Sequence, residues 1–360
     1  MTSPITTHGG NIEEEARDLK INPKSLLDAS ASLVPFRPPR KLYRHLFNSL
    51  KNNGLRSYPD RSQYLLKRNI SSFHNIEPSM VLPGNGAAEL FTWAGREASG
   101  NGLNGLPSPG FADYERALKC WGANYIHMPL PLTWGSGPQN FPLRPQTNVI
   151  WITNPHNPTG QLWCRDSIEN LLKDYNLVIC DEAFLPLVPN GEKESMIPLV
   201  YKYKNLIVIR SLTKLFAIAG LRLGYAISNS KRLEEWNQWR DPWPLNNLAI
   251  EAGNMIMRDK SFLNKWCTKV HEWVKVEGTW MYSKLNTINQ LKAHPSSINF
   301  LLIESNHSLT KMRRDLTKQN ILLRDCRSFR NLDDKWLRIS LQKRKENRYI
   351  IRNLKKFLSI

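Results

Sequence analysis

Three hundred and sixty residues can bury a large core, arranged as two domains or as one large α/β unit. The chain is 41% hydrophobic, and no run approaches the roughly 18–20 continuous apolar residues of a membrane span, so the composition predicts a soluble globular protein. Fifty basic against 31 acidic residues leave a net charge of +19, which admits nucleic-acid binding, a general basic bias or a field drawing in anionic substrates. The cations are spread along the chain and concentrate only at Lys343-Arg344-Lys345 and Lys355-Lys356. No zinc-finger, RNP-type or helix-turn-helix signature accompanies them, and no nucleic-acid partner is expected. Five scattered cysteines without a C-x-x-C pair point to neither a disulfide framework nor a zinc site. Eight dispersed histidines without an H-x-x-x-H pair predict no metal. Met1 to His8 lacks a charged-then-apolar leader, so a cytoplasmic location with no membrane contact is expected.

The first forty residues read as an arm. His8-Gly9-Gly10-Asn11 is followed by a short acidic helix, then by Leu27-Asp28-Ala29-Ser30-Ala31-Ser32 leading into Pro35. The glycine pair is either an anion-binding run of backbone N–H groups or a plain turn of a tail. Leu55-Arg56-Ser57-Tyr58-Pro59-Asp60 reads as a turn after a helix. Val81 to Leu90 contains Gly84-Asn85-Gly86 opening directly onto a helix-forming run, and a helix N-terminus offers free N–H groups to a phosphate.

From about residue 105 short apolar strands alternate with helices. Pro107-Ser108-Pro109-Gly110-Phe111 is expected to begin a helix. Strands are expected at Asn148 to Thr153, at Leu177 to Phe184 with Asp181 and Glu182 near its end, and at Asn205 to Arg210. This alternation predicts a mainly parallel sheet with its ligand beyond the strands' carboxyl ends. A long helical stretch follows Asn246, and strands around Ile298 to Ile303, Ile321 to Arg324 and Trp336 to Leu341 close the chain. The expected division is an arm over 1–40, a large cofactor-binding domain over 41–245 and a smaller α+β domain over 246–360 against which the arm packs.

The third of these strands leads into Ser211-Leu212-Thr213-Lys214, with Arg222 eight residues further on. A lysine between hydroxyls, an arginine downstream and a strand-end aspartate upstream suit a cofactor that is both an aldehyde and a phosphate ester, namely pyridoxal phosphate. Lys214 would bond the aldehyde, Ser211, Thr213 and Arg222 would hold the phosphate, and Asp181 would face the pyridine nitrogen.

Gly84-Asn85-Gly86, Asn157-Pro158-Thr159-Gly160, Asp181-Glu182-Ala183-Phe184, Ser211-Leu212-Thr213-Lys214 and Gly220-Leu221-Arg222-Leu223-Gly224 together resemble the class I/II aminotransferase family of pyridoxal-phosphate enzymes over nearly the whole chain. The resemblance implies a fold-type I α/β homodimer with active sites at the subunit interface. It implies Gly86 and Ala87 as backbone donors to the cofactor phosphate, Tyr58 reaching the partner's phosphate, Phe111 stacked on the ring and Asn157 bonded to the ring oxygen. The His8-Gly9-Gly10-Asn11 arm, Leu27-Asp28-x-Ser30-Ala31, Phe184 and the pair Arg324 and Arg338 resemble the branch that decarboxylates L-threonine O-3-phosphate for cobalamin biosynthesis. Histidinol-phosphate aminotransferases are the neighbouring alternative.

That branch implies a substrate site built from His8, Gly9, Gly10, Ser32, Asn157, Arg324 and Arg338, since a substrate with a carboxylate and a phosphate needs two anion sites. Two departures bear on the substrate. Ser32 and Val34 stand where the arm of that branch carries asparagines, and Gln342 stands where a further arginine is expected.

Overall fold

The computed structural model describes residues 9–52 and 54–358. A seven-stranded sheet runs in the order Val81–Asn85, Leu223–Ile227, Leu206–Ser211, Leu177–Asp181, Val149–Thr153, Asn104–Ser108 and Tyr125–Pro129. Only Leu223–Ile227 is antiparallel to its neighbours; the other pairs are parallel.

The central strands Val149–Thr153, Leu177–Asp181 and Leu206–Ser211 are buried at every position. Alternate side chains feed different cores: Ile150, Val178 and Val208 enter one apolar cluster, Trp151, Ile179 and Ile207 another. Both faces of the sheet are therefore covered, which explains unbroken apolar runs where a half-exposed strand would alternate. Because these strands share a direction, Thr153, Asp181 and Ser211 emerge along one edge, with Thr153 in register with Asp181. The antiparallel strand begins at that same edge, with Leu223 opposite Asn85 and Gly224 opposite Ser211.

The expectation of a helix beginning within Pro107 to Phe111 needs correction. Pro107 and Ser108 finish the strand Asn104–Ser108, and the helix spans Asp113–Lys119. On its Val149–Thr153 side this strand pairs only through Asn104 and Gly105, so Pro107 lies past the end of that ladder, where a missing N–H is harmless.

A second sheet has the order Leu27–Ala29, Ile321–Asp325, Trp336–Ser340, Phe300–Glu304 and Lys292–Ala293. Leu27–Ala29 lies parallel to Ile321–Asp325, with Leu27 opposite Ile321. The helices Asn247–Arg258 and Lys260–Leu285 lead from the larger sheet toward the smaller one. Asn246 starts the first by accepting a hydrogen bond from Ala249 N at 2.8 Å, and Asp259 starts the second by accepting one from Phe262 N at 2.9 Å. One continuous core joins Ile152 and Val208 of the large sheet to Leu301, Leu323 and Ile339 of the small one. Among the described residues no helix is long and apolar enough to cross a membrane.

Candidate active site

Where the carboxyl edge of the large sheet faces the small sheet there is a cavity of about 260 Å³. Lys214 and Asp181 face it from the large sheet, Arg324 and Arg338 from the small one, and Gly9 and the Ser30 to Ser32 segment close it from the arm.

One end gathers groups that suit a phosphate. The helix Gly86–Ser99 begins at the end of a strand, and its N-cap, Asn85, makes no side-chain cap to the first turn. Ala87 of that first turn lines the cavity together with Ser211, Thr213 and Arg222. Thr213 N donates to Ser211 Oγ at 3.2 Å, which fixes the turn before Lys214. Gly86 is required here. Its φ is +73°, and a Cβ would lie 2.5 Å from Arg222 Nη2, so any side chain would displace the guanidinium from this corner. Free helix-start amides, two hydroxyls and an arginine suit a phosphate monoester.

Lys214 and Asp181 face the middle of the cavity. Burial, together with Arg338 and Arg222, lowers the Lys214 ammonium to about 8, while Asp181 pulls the other way. Lys214 Nζ lies 5.7 Å from the centre of the Phe184 ring. Burial pushes Asp181 up to about 6, against hydrogen bonds from Tyr114 Oη at 2.6 Å and Ala183 N at 2.9 Å. Phe111 lines the same cavity and meets Phe91 and Tyr114 edge-on.

Arg324 and Arg338 occupy directly opposite positions on adjacent antiparallel strands. Both are buried, at 3% and 5% exposure. Arg338 donates to Asn157 Oδ1 and, at 3.1 Å, to Ser30 O; its Nε finds no partner among the described residues. Burial and then the neighbouring Arg324 bring Arg338 down to about 9. Arg324 donates to Ser328 Oγ at 2.6 Å and lies over the Phe329 ring at 5.1 Å, while Arg338 lies over Phe300 at 4.4 Å. Like charges placed opposite each other destabilise a strand pair, so the arrangement suits anions entering from the cavity.

The arm is tied to this wall. Asp28 Oδ1 accepts from Ser30 N, Ser30 Oγ and Ala31 N, and Ser30 Oγ in turn accepts from Gly10 N at 3.1 Å. Gly10 thus lies behind the lining, with its N–H committed to Ser30. Ser32 lines the cavity, but its hydroxyl pairs with Ser340 Oγ at 3.1 Å. Gln342, at the point where a further arginine was expected, donates to Asp28 O at 3.2 Å and so braces the arm. Tyr58 stands apart from the cavity, 79% exposed and packed on Trp243 with ring centres 4.6 Å apart. His8 lies outside the described residues.

The structure also brings in two residues to which sequence reasoning assigned no role: Phe329, which lines the cavity, and Tyr114, which bonds Asp181 from behind it. Tyr114 lies in the first turn of the helix Asp113–Lys119, three positions after Phe111, and that spacing is the one signal it carried.

The residues fit pyridoxal phosphate on the structure's own terms. A glycine-floored corner suited to a phosphate, a buried lysine of lowered pKa and a buried carboxylate share one cavity, and that cofactor carries a phosphate, an aldehyde and a ring nitrogen to match them. Comparison with known proteins agrees. The aminotransferase class I and II pattern matches residues 35–354. A threonine-phosphate decarboxylase of Salmonella typhimurium is 31% identical, with 98% of this chain and 97% of that protein covered. Histidinol-phosphate aminotransferase 2 of Haemophilus influenzae is 30% identical, covering 97% and 94%. In fold, histidinol-phosphate aminotransferase from Sinorhizobium meliloti, solved in complex with pyridoxal-5'-phosphate, superposes with a TM-score of 0.82 over 99% of this chain and 95% of that one, at 17% identity. The chain therefore belongs to the class I and II aminotransferase family and uses pyridoxal phosphate as its cofactor.

Proposed function

We propose that the protein is a carboxy-lyase that converts L-threonine O-3-phosphate to (R)-1-amino-2-propanol O-2-phosphate and carbon dioxide, a step serving cobalamin biosynthesis in the cytoplasm. The observation that carries this reading is the opposed pair Arg324 and Arg338 on the wall facing Lys214. A substrate bearing both a phosphate and a carboxylate supplies negative charge to both guanidinium groups at once. The similarity to the Salmonella typhimurium protein supports the same reading.

Bound pyridoxal phosphate supplies an electron sink conjugated to the substrate's Cα. Ala87, Ser211, Thr213 and Arg222 would hold its phosphate, Phe111 and Asn157 would hold its ring, and Asp181 would keep the pyridine nitrogen protonated. Lys214 Nζ, lowered to about 8, can accept and return protons near neutrality: it would bond the aldehyde and, once released, supply the proton that replaces the departing carboxylate at Cα. Arg324, Arg338, Asn157 and the arm residues Gly9 and Ser32 would bind and orient the two anions so that the Cα–carboxylate bond is the one that breaks. Orientation decides which bond at Cα yields. Phe184 offers no phenol to the ring oxygen, unlike a tyrosine there, and so leaves that oxygen to Asn157.

A homodimer completes the proposed site. Tyr43, Phe47, Leu50, Leu55, Tyr58 and Tyr64 form an exposed apolar run over residues 43–64, and a second copy covering it would bring Tyr58 to its neighbour's cofactor phosphate.

The second reading is transamination of histidinol phosphate, favoured by the Haemophilus influenzae relative and by the capacity of two arginines to hold a dicarboxylic keto acid. One assay separates the two. Cofactor-loaded protein given L-threonine O-3-phosphate alone should release carbon dioxide and aminopropanol phosphate in equal amounts. If neither appears, and histidinol phosphate passes its amino group to 2-oxoglutarate in a parallel tube, the lyase reading is wrong.

A further inference from the structure

Asp181 is buried among groups that disfavour its charge: the sheet around it is apolar, and Glu182 follows it directly. One neutral side chain works the other way. Tyr114 Oη donates to Asp181 Oδ2 at 2.6 Å and also lies 2.8 Å from Thr153 Oγ1. A phenol has one proton, and here the carboxylate takes it. The contact with Thr153 must then run from the threonine hydroxyl to the phenol oxygen, giving a directed chain from Thr153 through Tyr114 to Asp181. Each donor in such a chain polarises the next and strengthens the last bond.

The chain is rigid. Tyr114 is 3% exposed, with Phe91 edge-on at 5.1 Å and Trp151 at 5.1 Å on another side. Thr153 is the last residue of its strand and lies in register with Asp181 on the next. The other carboxylate oxygen accepts from Ala183 N, so the plane of the group is set from two sides.

We propose that Tyr114, backed by Thr153, is a positioning residue that keeps Asp181 ionised and turned toward the ring nitrogen of the cofactor. This rests on the reading of Asp181 as the partner of that nitrogen. Among the forces that hold the Asp181 carboxyl down against burial, the Tyr114 bond comes first, ahead of Ala183 N and Lys214. Without it the carboxyl moves further up, toward the pH at which the enzyme works, and a neutral carboxyl no longer holds a proton on the ring nitrogen.

The test uses the holoenzyme loaded with cofactor carrying an isotope-labelled ring nitrogen. NMR reports whether that nitrogen is protonated near neutral pH, and equilibrium dialysis reports cofactor affinity. Tyr114→Phe keeps the ring and loses the donor. It should leave a measurable fraction of the nitrogen unprotonated and weaken cofactor binding on the order of tenfold. Thr153→Val should shift both readings the same way by less, and it tests the chain even if Tyr114→Phe does not fold, because every ring stays in place. Wild-type nitrogen signal and affinity in both variants would overturn the inference and leave Tyr114 a packing residue. Asp181→Asn is the control: if it too leaves the nitrogen signal unchanged, the role given to Asp181 fails, and the inference fails with it.

Discussion

Two buried arginines, Arg210 and Arg338, sit on strands a short way either side of the same cavity, and their surroundings are opposite. Arg210 Nε donates to the fully buried Glu182 at 2.7 Å, while Nη1 and Nη2 reach the solvent-facing Glu192 at 2.8 and 2.9 Å and Nη2 also reaches Ser195 Oγ. Burial works against its charge, but Glu192 and Glu182 hold it firmly protonated. Arg338 faces another arginine, has no ion pair among the described residues, and is drawn down to about 9 by burial. The first arrangement is closed, because every guanidinium nitrogen has a partner within the chain. The second is open toward a ligand. Burial of a charge alone does not mark a binding site; what marks it is a charge the fold leaves without its opposite.

The comparison can be broken by substitution. Arg210→Met leaves Glu182 buried and uncompensated and should cost about 3–5 kcal/mol of stability, read as a large fall in urea midpoint. If its stability stays near wild type, the closed network is ornamental. Arg338→Met should do the reverse: unchanged or higher stability and normal cofactor retention, but a fall in kcat/KM equivalent to about 2–5 kcal/mol with L-threonine O-3-phosphate. Equal loss of cofactor and of substrate handling would place Arg338 with Arg210.

Asp181 gives a third measure. Its folded pKa, about 6, lies above the ordinary 3.8, so the folded cofactor-free protein holds this proton longer than the unfolded chain does. Its stability contribution is fully present below pH 3.8 and is lost as pH rises toward 6. Cofactor-free Asp181→Asn should therefore be more stable than wild type at neutral pH by about 2–3 kcal/mol, with the gap closing in acid. A constant gap across that range would show that the carboxylate is not strained by burial. The smallest effect is ligand stabilisation. Inorganic phosphate at about ten times its dissociation constant should stabilise the cofactor-loaded wild type by about 1.4 kcal/mol in thermal unfolding, and Arg338→Met by less.

The meeting of Lys214 and Asp181 in one cavity was readable because Asp181 ends one strand and Lys214 closely follows another, each opening with four apolar residues, and parallel strands deliver their ends to one edge. The cofactor corner was readable for the same reason, since Gly86 opens a helix straight from a strand. Tyr114 was not readable. In sequence it is an aromatic on an apolar helix face, and only the register of Thr153 beside Asp181 reveals that its hydroxyl has two partners. Glu182 and Arg210 looked like a strand-end acid and a strand-end base, but side-chain direction alternates along a strand, so Glu182 turns away from Asp181 toward Ser195, Met196 and Arg210. The opposition of Arg324 and Arg338 depends on the pairing of two strands joined by a loop, and no local pattern specifies that register.

The parallel pairing of Leu27–Ala29 with Ile321–Asp325 bears on how the chain is made. Beside that pairing, Ser25 bonds Asn320 across 295 positions of sequence. During synthesis the arm is made well before its partner strand and waits for it while the 295 positions between Ser25 and Asn320 follow. The corner formed by Ala87, Ser211, Thr213 and Arg222 is made before the small-sheet strands Phe300–Glu304, Ile321–Asp325 and Trp336–Ser340. On the proposed function, the residues that would hold the reactive aldehyde are thus made before the arginine pair that would select what the aldehyde meets.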